Sequence, residues 1–229
     1  MNEIISVIIP VYNEKDTVLK ILEAVLATEV DKEIVVVDDG STDGTREILV
    51  NNFSERSNFQ IIYHETNQGK GRAVRTGIAA AKGAYILIQD ADLEYDPRDY
   101  KSLLETIQSS KTSAVYGSRF LGKKKVTSFW HKSVNVILTW LVNLFYGSKL
   151  TDMETCYKLF RASLIKRLNL QSDGFEIEVE LTAKTLKLGE KILEVPISYK
   201  GRSFHEGKKI GWRDGVKAVF LIFRYRFVD

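Results

Sequence analysis

The chain has 229 residues, of which 44% are apolar and 28% charged, values that exclude disordered and fibrous classes. The formal charge is only +3, but from Lys200 to Asp229 there are eight Lys and Arg against three acids; this surplus draws a phosphate-bearing partner or an anionic surface. The single cysteine, Cys156, rules out an intrachain disulfide.

The N-terminus, Met-Asn-Glu, lacks the basic start and apolar stretch of a signal peptide. No segment has the roughly 20 apolar residues needed to span a bilayer. The expectation is a cytoplasmic protein that can rest on the cytosolic face of a membrane. Ile4–Pro10, Glu33–Asp38 and Tyr85–Gln89 are short apolar runs rich in Val and Ile, the pattern of parallel strands buried on both faces. Gln60–His64 and Ala114–Gly117 are weaker candidates. Between them Thr17–Ala27 places Val18, Ile21, Leu22 and Val25 on one helical face, and Asp43–Asn52 and Ala73–Ala81 read similarly. This alternation predicts a three-layer α/β fold with a mostly parallel sheet and ligands at the carboxyl ends of its strands. Beyond residue 120 come a basic loop (Lys123, Lys124, Lys125) and a helix over Val134–Tyr146. A short helix near Ala162–Leu168, a helix over Glu176–Leu188, a strand at Ile192–Val195 and a final apolar helix follow. One domain over 1–229 accounts for this, with a first half over 1–120 and a specialised second half over 121–229.

Three predicted strands end in polar clusters on one edge. Tyr85–Gln89 runs into Asp90-Ala91-Asp92. Paired carboxylates at a strand end need water, a cation or a basic partner, and they form a hard oxygen site suited to Mg²⁺ or Mn²⁺ held with a diphosphate. Glu94 can supply a third oxygen; a solvated acidic loop is the plainer alternative. Glu33–Val37 ends in Asp38-Asp39, either of which can accept from a base or ribose, while Ser41, Thr42 and Asp43 suit helix capping. The first strand ends Pro10-Val11-Tyr12-Asn13-Glu14.

In this order, Val7–Glu14, Asp38–Thr45, Asn67-Gln68-Gly69-Lys70-Gly71, Asp90-Ala91-Asp92, Gly117-Ser118-Arg119-Phe120, Thr151–Lys158 and Glu206–Ile210 resemble the inverting glycosyltransferases of family 2 with the GT-A fold. The match is to the branch of dolichyl- and polyprenyl-phosphate sugar synthases, and it covers nearly the whole chain. The resemblance implies that Pro10, Val11, Tyr12, Glu14, Val37 and Asp39 contact the nucleoside of a GDP- or UDP-sugar. It implies that Asp90, Ala91 and Asp92, with Glu94, meet the diphosphate and a metal. It implies that Arg119, Lys132, Arg202 and Lys208 meet phosphate or acceptor, so that Asp90, Asp92 and Arg119 form the catalytic set. Glu176 stands where relatives carry a lysine, and His131-Lys132 where some carry Arg-Lys.

Such chemistry requires charge neutralisation on the leaving diphosphate. A sugar hydroxyl acceptor also needs a base, for which Asp152 and Glu154 are candidates. A lipid phosphate, with a second pKa near ~6, is already anionic, and the C-terminal cations favour it. In the helix over Val134–Tyr146, Val134, Ile137, Leu138, Leu141 and Phe145 face one way, and Asn135, Thr139 and Asn143 the other. That helix either lies in a membrane interface or packs in the core, and the last helix, with Val216, Val219, Phe220 and Phe223, has the same two readings. Gly69-Lys70-Gly71 lacks the spacing of a phosphate-binding loop and reads mainly as a turn before a helix. His64, His131 and His205 lack zinc-type spacing, and no nucleic-acid module organises the basic residues.

Overall fold

The computed structural model describes residues 4–122, 129–201 and 212–228. Seven strands form one sheet: β1 (Ile5–Val11), β2 (Lys32–Asp38), β3 (Phe59–Tyr63), β4 (Tyr85–Ile88), β5 (Ala114–Ser118), β6 (Lys158–Arg161) and β7 (Ile192–Pro196). Their order is β3-β2-β1-β4-β6-β5-β7. β3, β2, β1 and β4 are parallel neighbours, and β5 pairs parallel with β7. Only β6 runs against both its neighbours. Strand order reverses at β1, between β2 and β4, which is where an open α/β sheet leaves its ligand crevice.

The Val/Ile runs are buried on both faces, as their composition demands. Ile5, Val7, Ile9 and Val11 of β1 join α1 (Val18–Leu26), α2 (Thr45–Phe53) and α4 (Tyr100–Ser109) in one core. Ile8, Ile86 and Ile88 join α3 (Lys70–Ala80), α6 (Ala162–Ile165) and α7 (Ile177–Lys187) in the core on the other face. These are the three layers expected from sequence. The four residues assigned to the inner face of α1 are all buried.

A third core joins α7 to α5 (Phe129–Tyr146) and α8 (Trp212–Phe227). α7 therefore contacts the sheet with Ile177 and Leu181 and the outer helices with Val179 and Ala183, so eight of its residues are buried.

α5 is turned relative to its periodicity. Asn135 and Thr139 are buried, while Ile137 is 56% and Trp140 59% exposed, with Val134, Val136 and Leu144 exposed beside them. The cause is a carboxylate underneath. Asn135 Nδ2 donates to Asp152 Oδ1 at 2.6 Å, Thr139 Oγ1 donates to Asn135 Oδ1 at 3.0 Å, and the Met153 amide donates to Thr139 Oγ1 at 3.1 Å. Satisfying a buried charge outweighs covering the apolar stripe. α8 likewise leaves Val216, Phe220 (64%), Phe223 and Phe227 exposed at spacings that share one helical face. The two helices meet where the Phe145 and Phe223 rings lie 4.6 Å apart. Among the described residues no helix is long and apolar enough to cross a membrane.

Candidate active site

The loops after β1 and β2 are bound into one rim. The Asn13 amide donates to Ser41 Oγ (3.0 Å), the Thr42 amide to Asn13 Oδ1 (2.8 Å), the Glu14 amide to Thr45 Oγ1 (3.0 Å) and the Lys15 amide to Asp43 Oδ2 (3.1 Å). Asn13 adopts φ +52° to make this turn, a conformation asparagine tolerates better than most residues. Asp43 also accepts from the Thr45 amide and hydroxyl, one residue before the N-cap of α2, which is Gly44.

Pro10, Tyr12 and Glu14 are partly exposed on this rim. Val11 and Val37 are packed into the cores and leave a nucleoside essentially no surface, because the last apolar position of each strand still points into a helix layer. Asp38 is fully buried and bonded to Arg46 Nε (2.7 Å) and the Ser41 amide (3.2 Å). Asp39 is 2% exposed. Its oxygens accept from the Gln68 and Gly69 amides at 3.0 and 2.8 Å and lie against His64 Nδ1 at 2.7 Å. Asp39 thereby ties β2 to the start of α3, a job its sequence context did not reveal.

At the end of β4, buried Gln89 accepts from the Tyr100 and Tyr157 hydroxyls (2.8 and 3.0 Å) and donates to the Asp90 carbonyl (3.0 Å). Asp92 Oδ1 accepts the Glu94 amide at 3.1 Å, closing a turn in which Leu93 is held at φ +64°. A bulky side chain there stores backbone strain, which concentrates at working sites. Glu94 Oε2 accepts from Tyr199 OH at 2.7 Å, and its carbonyl accepts the Lys200 amide.

Asp90, Asp92 and Glu94 do not converge into a three-carboxylate cage. Among the described residues no cluster of three His, Cys, Asp or Glu side chains is placed to hold an ion. Asp90 faces Lys70 Nζ at 2.7 Å instead, and Glu94 is drawn to Tyr199. Burial opposes charge on Asp90, yet Lys70 outweighs it and keeps the carboxyl below its usual range. Lys70 reaches this place because α3 begins hard against the 172–174 loop. A Cβ on Gly69 or Gly71 would fall 2.3–2.4 Å from backbone oxygens there, so Gly69-Lys70-Gly71 is a close-packing device as well as a turn.

Beneath Asp90 lie further groups. Lys158, fully buried, pairs with Glu178 Oε2, and Glu178 Oε1 is 3.2 Å from Lys70 Nζ. Lys70 Nζ is also 3.1 Å from Cys156 Sγ, and burial pushes that thiol well up, which suits packing and not nucleophilic attack. Lys158, the last residue of the Thr151–Lys158 motif, and Glu178 take their meaning from each other, 20 positions apart.

Arg119, at the end of β5, is clamped by Asp152 through Nε and Nη2, both at 2.7 Å, and through its own amide at 2.9 Å. Its guanidinium centre stands 5.2 Å from the Tyr199 ring centroid. Burial opposes ionisation of Asp152, but Arg119 and Asn135 outweigh it and hold the carboxyl below its ordinary value. Asp152 is thus held ionised as the counterion of Arg119.

Glu154 differs. Its Oε1 is buried without a hydrogen-bond partner, and burial, with added repulsion from Glu178 and Asp152, pushes its carboxyl up to about 7 against the opposing pull of Lys158 and Arg119. In the unfolded chain it ionises near its ordinary 4.5, so the native state holds more protons between these values. Stability from this group is intact below about 4.5 and is lost as pH rises through about 7. Glu154→Gln should accordingly stabilise the protein by about 1–3 kcal/mol at pH 8 and by little at pH 4.5. Paired thermal melts at the two pH values test this; equal shifts at both would refute it.

Glu176, the departure from the family pattern, pairs with Lys217 of α8 at 2.5 Å. The pair lines a polar groove of about 630 Å³ between the 67–69 loop, the 171–174 loop and α8. Lys132 lies in α5 where only the backbone is described, and Arg202 and Lys208 lie outside the described residues.

Residues 6–168 match the model of the family described as Glycosyl transferase family 2. An undecaprenyl-phosphate mannosyltransferase of Micrococcus luteus is 30% identical over 214 residues, covering 89% of this chain and 86% of that protein. A dodecaprenyl-phosphate galacturonate synthase of Rhizobium johnstonii is 31% identical over 177 residues, covering 74% of this chain and 51% of that one. In three dimensions the chain superposes on glucosyl-3-phosphoglycerate synthase of Mycobacterium tuberculosis, solved with Mn²⁺, UDP and phosphoglyceric acid. That match has a TM-score of 0.75 at 18% identity and covers 99% of this chain and 80% of that one. The sheet order and the family match agree: this chain belongs to glycosyl transferase family 2, a hexosyltransferase of GT-A fold.

Proposed function

We propose that this enzyme transfers a hexose from a GDP- or UDP-sugar to a polyprenyl phosphate at the cytosolic membrane face, with inversion at the anomeric carbon. The observation that carries the acceptor is the outward turn of α5 and α8, whose exposed Ile137, Trp140, Leu144, Val216, Phe220 and Phe227 suit an interfacial position beside a lipid substrate. The names of the relatives in Micrococcus and Rhizobium support the same acceptor class. Residues 1–120 serve the donor and 121–229 the acceptor.

Asp90 and Asp92 fit a Mg²⁺ or Mn²⁺ ion by the chemistry of their donors. Such ions are held by one or two carboxylates with substrate phosphates completing the shell, so a third protein ligand is not required. A bound divalent ion would neutralise charge on the departing diphosphate. Pro10, Tyr12 and Glu14 form the exposed rim for the nucleoside. Arg119, oriented by Asp152, turns its remaining N–H donors toward phosphate. An acceptor phosphate oxygen bonds the anomeric carbon as the bond to the diphosphate breaks on the opposite face. At neutral pH that oxygen needs no base.

A second reading, transfer to a glycan hydroxyl, is favoured by Glu154, whose buried Oε1 has no hydrogen-bond partner and whose carboxyl burial pushes up to about 7, in the range that suits a general base. Incubating labelled nucleotide sugars with polyprenyl phosphate or with glycan acceptors, with and without Mn²⁺ or Mg²⁺, separates the two. Metal-dependent label in the lipid phase is expected; label only in the glycan would overturn the lipid reading. Replacing both Trp140 and Phe220 by Glu should cut cosedimentation with anionic liposomes by roughly tenfold or more while leaving the melting temperature within a few degrees. Undiminished liposome binding would remove the membrane surface from the proposal.

A further inference from the structure

The hydrogen bonding beneath Asp90 is incomplete. Glu178 Oε2 is taken by Lys158, but Glu178 Oε1 is a buried oxygen with no hydrogen-bond partner, although Lys70 Nζ lies only 3.2 Å away. The ammonium is close enough to be attracted and is aimed elsewhere, at Asp90 Oδ1 2.7 Å away. An unmatched buried carboxylate oxygen is normally costly. Here a small rotation of the Lys70 ammonium would satisfy it. Lysine suits such a movement, with three donors on a four-carbon stem, and its side chain is 9% exposed, which confines the movement to its present neighbours. Lys70 thus has two stations, Asp90 and Glu178.

One of those stations is the carboxylate assigned above to the divalent ion. A dication and an ammonium cannot both approach the same oxygen closely without strong repulsion in a poorly solvated place. We propose that Lys70 is a displaceable internal counterion, which neutralises Asp90 in the donor-free enzyme and moves to Glu178 Oε1 when the ion arrives with the nucleotide diphosphate. This rests on the metal reading of Asp90. It deepens that reading by making the free enzyme a poor cation binder and coupling metal capture to the donor. Lys70, Lys158, Asp90 and Glu178 carry two charges of each sign in either arrangement, so the exchange leaves no net charge stranded. Lys70 is a positioning residue in this scheme.

The test measures Mn²⁺ binding itself, by equilibrium dialysis with electron paramagnetic resonance of the ion, on the whole protein with and without UDP or GDP. Without nucleotide, Lys70→Met should bind Mn²⁺ roughly tenfold or more tightly than wild type, as loss of a neighbouring cation shifts an ionic equilibrium by a unit or more. Glu178→Gln, which weakens the second station, should bind Mn²⁺ several-fold less tightly. A merely structural role for Lys70 would make both variants weaker. Lys70→Met binding no tighter than wild type would overturn the inference; should that variant fail to fold, unchanged or tighter binding by Glu178→Gln would do so. Failure of the wild-type enzyme to take up Mn²⁺ even with nucleotide would remove the metal reading, and this inference with it. Uptake by wild type matched by Lys70→Met would remove the inference alone.

Discussion

Asp92→Ala should lower hexose transfer by about 10²–10³-fold, the usual loss when one group that stabilises transition-state charge is removed. At about 1.4 kcal/mol per tenfold, this is about 3–4 kcal/mol of transition-state stabilisation. Folding should survive, because Asp92 is only partly buried and its bond to the Glu94 amide is a local turn contact with a net value near ~1 kcal/mol. The Asp92→Asn variant separates charge from geometry. Its side-chain amide oxygen still accepts the Glu94 amide and holds Leu93 at its positive φ, but it brings no negative charge to an ion. Asp92→Asn should therefore be nearly as inactive as Asp92→Ala, with a melting temperature close to that of wild type. Single-turnover transfer from a labelled donor measures the loss. If Asp92→Asn keeps most of the activity, the carboxylate charge is dispensable and the metal–diphosphate reading fails.

What the sequence made legible was whatever repeats over a few residues. The Val/Ile runs of β1, β2 and β4 located the central strands within a residue or two, and Val18, Ile21, Leu22 and Val25 located the buried face of α1. Asp90 and Asp92 stood out for the same reason, as charges that interrupt an apolar run. Pairing over long separations was hidden. β6 begins with Lys158, and an ammonium in a central strand contradicts strand composition unless Glu178 is known to wait above it. α4 escaped because Leu103, Leu104 and Ile107 are few apolar positions among polar ones. The periodicity of α5 leaves open whether its apolar face packs inward or lies in an interface, since nothing within the helix announces that Asp152, 17 positions after Asn135, needs donors from it. Gly69-Lys70-Gly71 reads from sequence mainly as a turn, and the aim of Lys70 at Asp90 depends on how closely Gly69 and Gly71 let α3 approach the 172–174 loop. Burial of charge is the common cause of the departures at Lys158, Asp152 and Lys70, and in each the partner is remote in sequence.

The Lys158–Glu178 pair provides the strongest stability test of that principle. Both side chains are buried, and Lys158 also donates to the Thr155 carbonyl. Lys158→Met removes the cation and leaves Glu178 near Glu154, whose carboxyl is already raised chiefly by burial, with Lys70 still 3.2 Å from Glu178. Breaking one partner of a buried pair costs about 3–5 kcal/mol, so the melting temperature should fall by roughly 6–20 °C for a chain of this length. The double variant, Lys158→Met with Glu178→Met, removes both charges and the desolvation each demands, and apolar replacement of a whole buried pair is often neutral or better. It should recover most of the loss in thermal melts. Transfer activity should not recover with stability in the double variant, because Lys70 then has no second carboxylate to occupy. A double variant less stable than Lys158→Met would mean that the pair is worth more than its desolvation. The two charges would then be a source of net stability, and their place beneath Asp90 would need no explanation from the site above them.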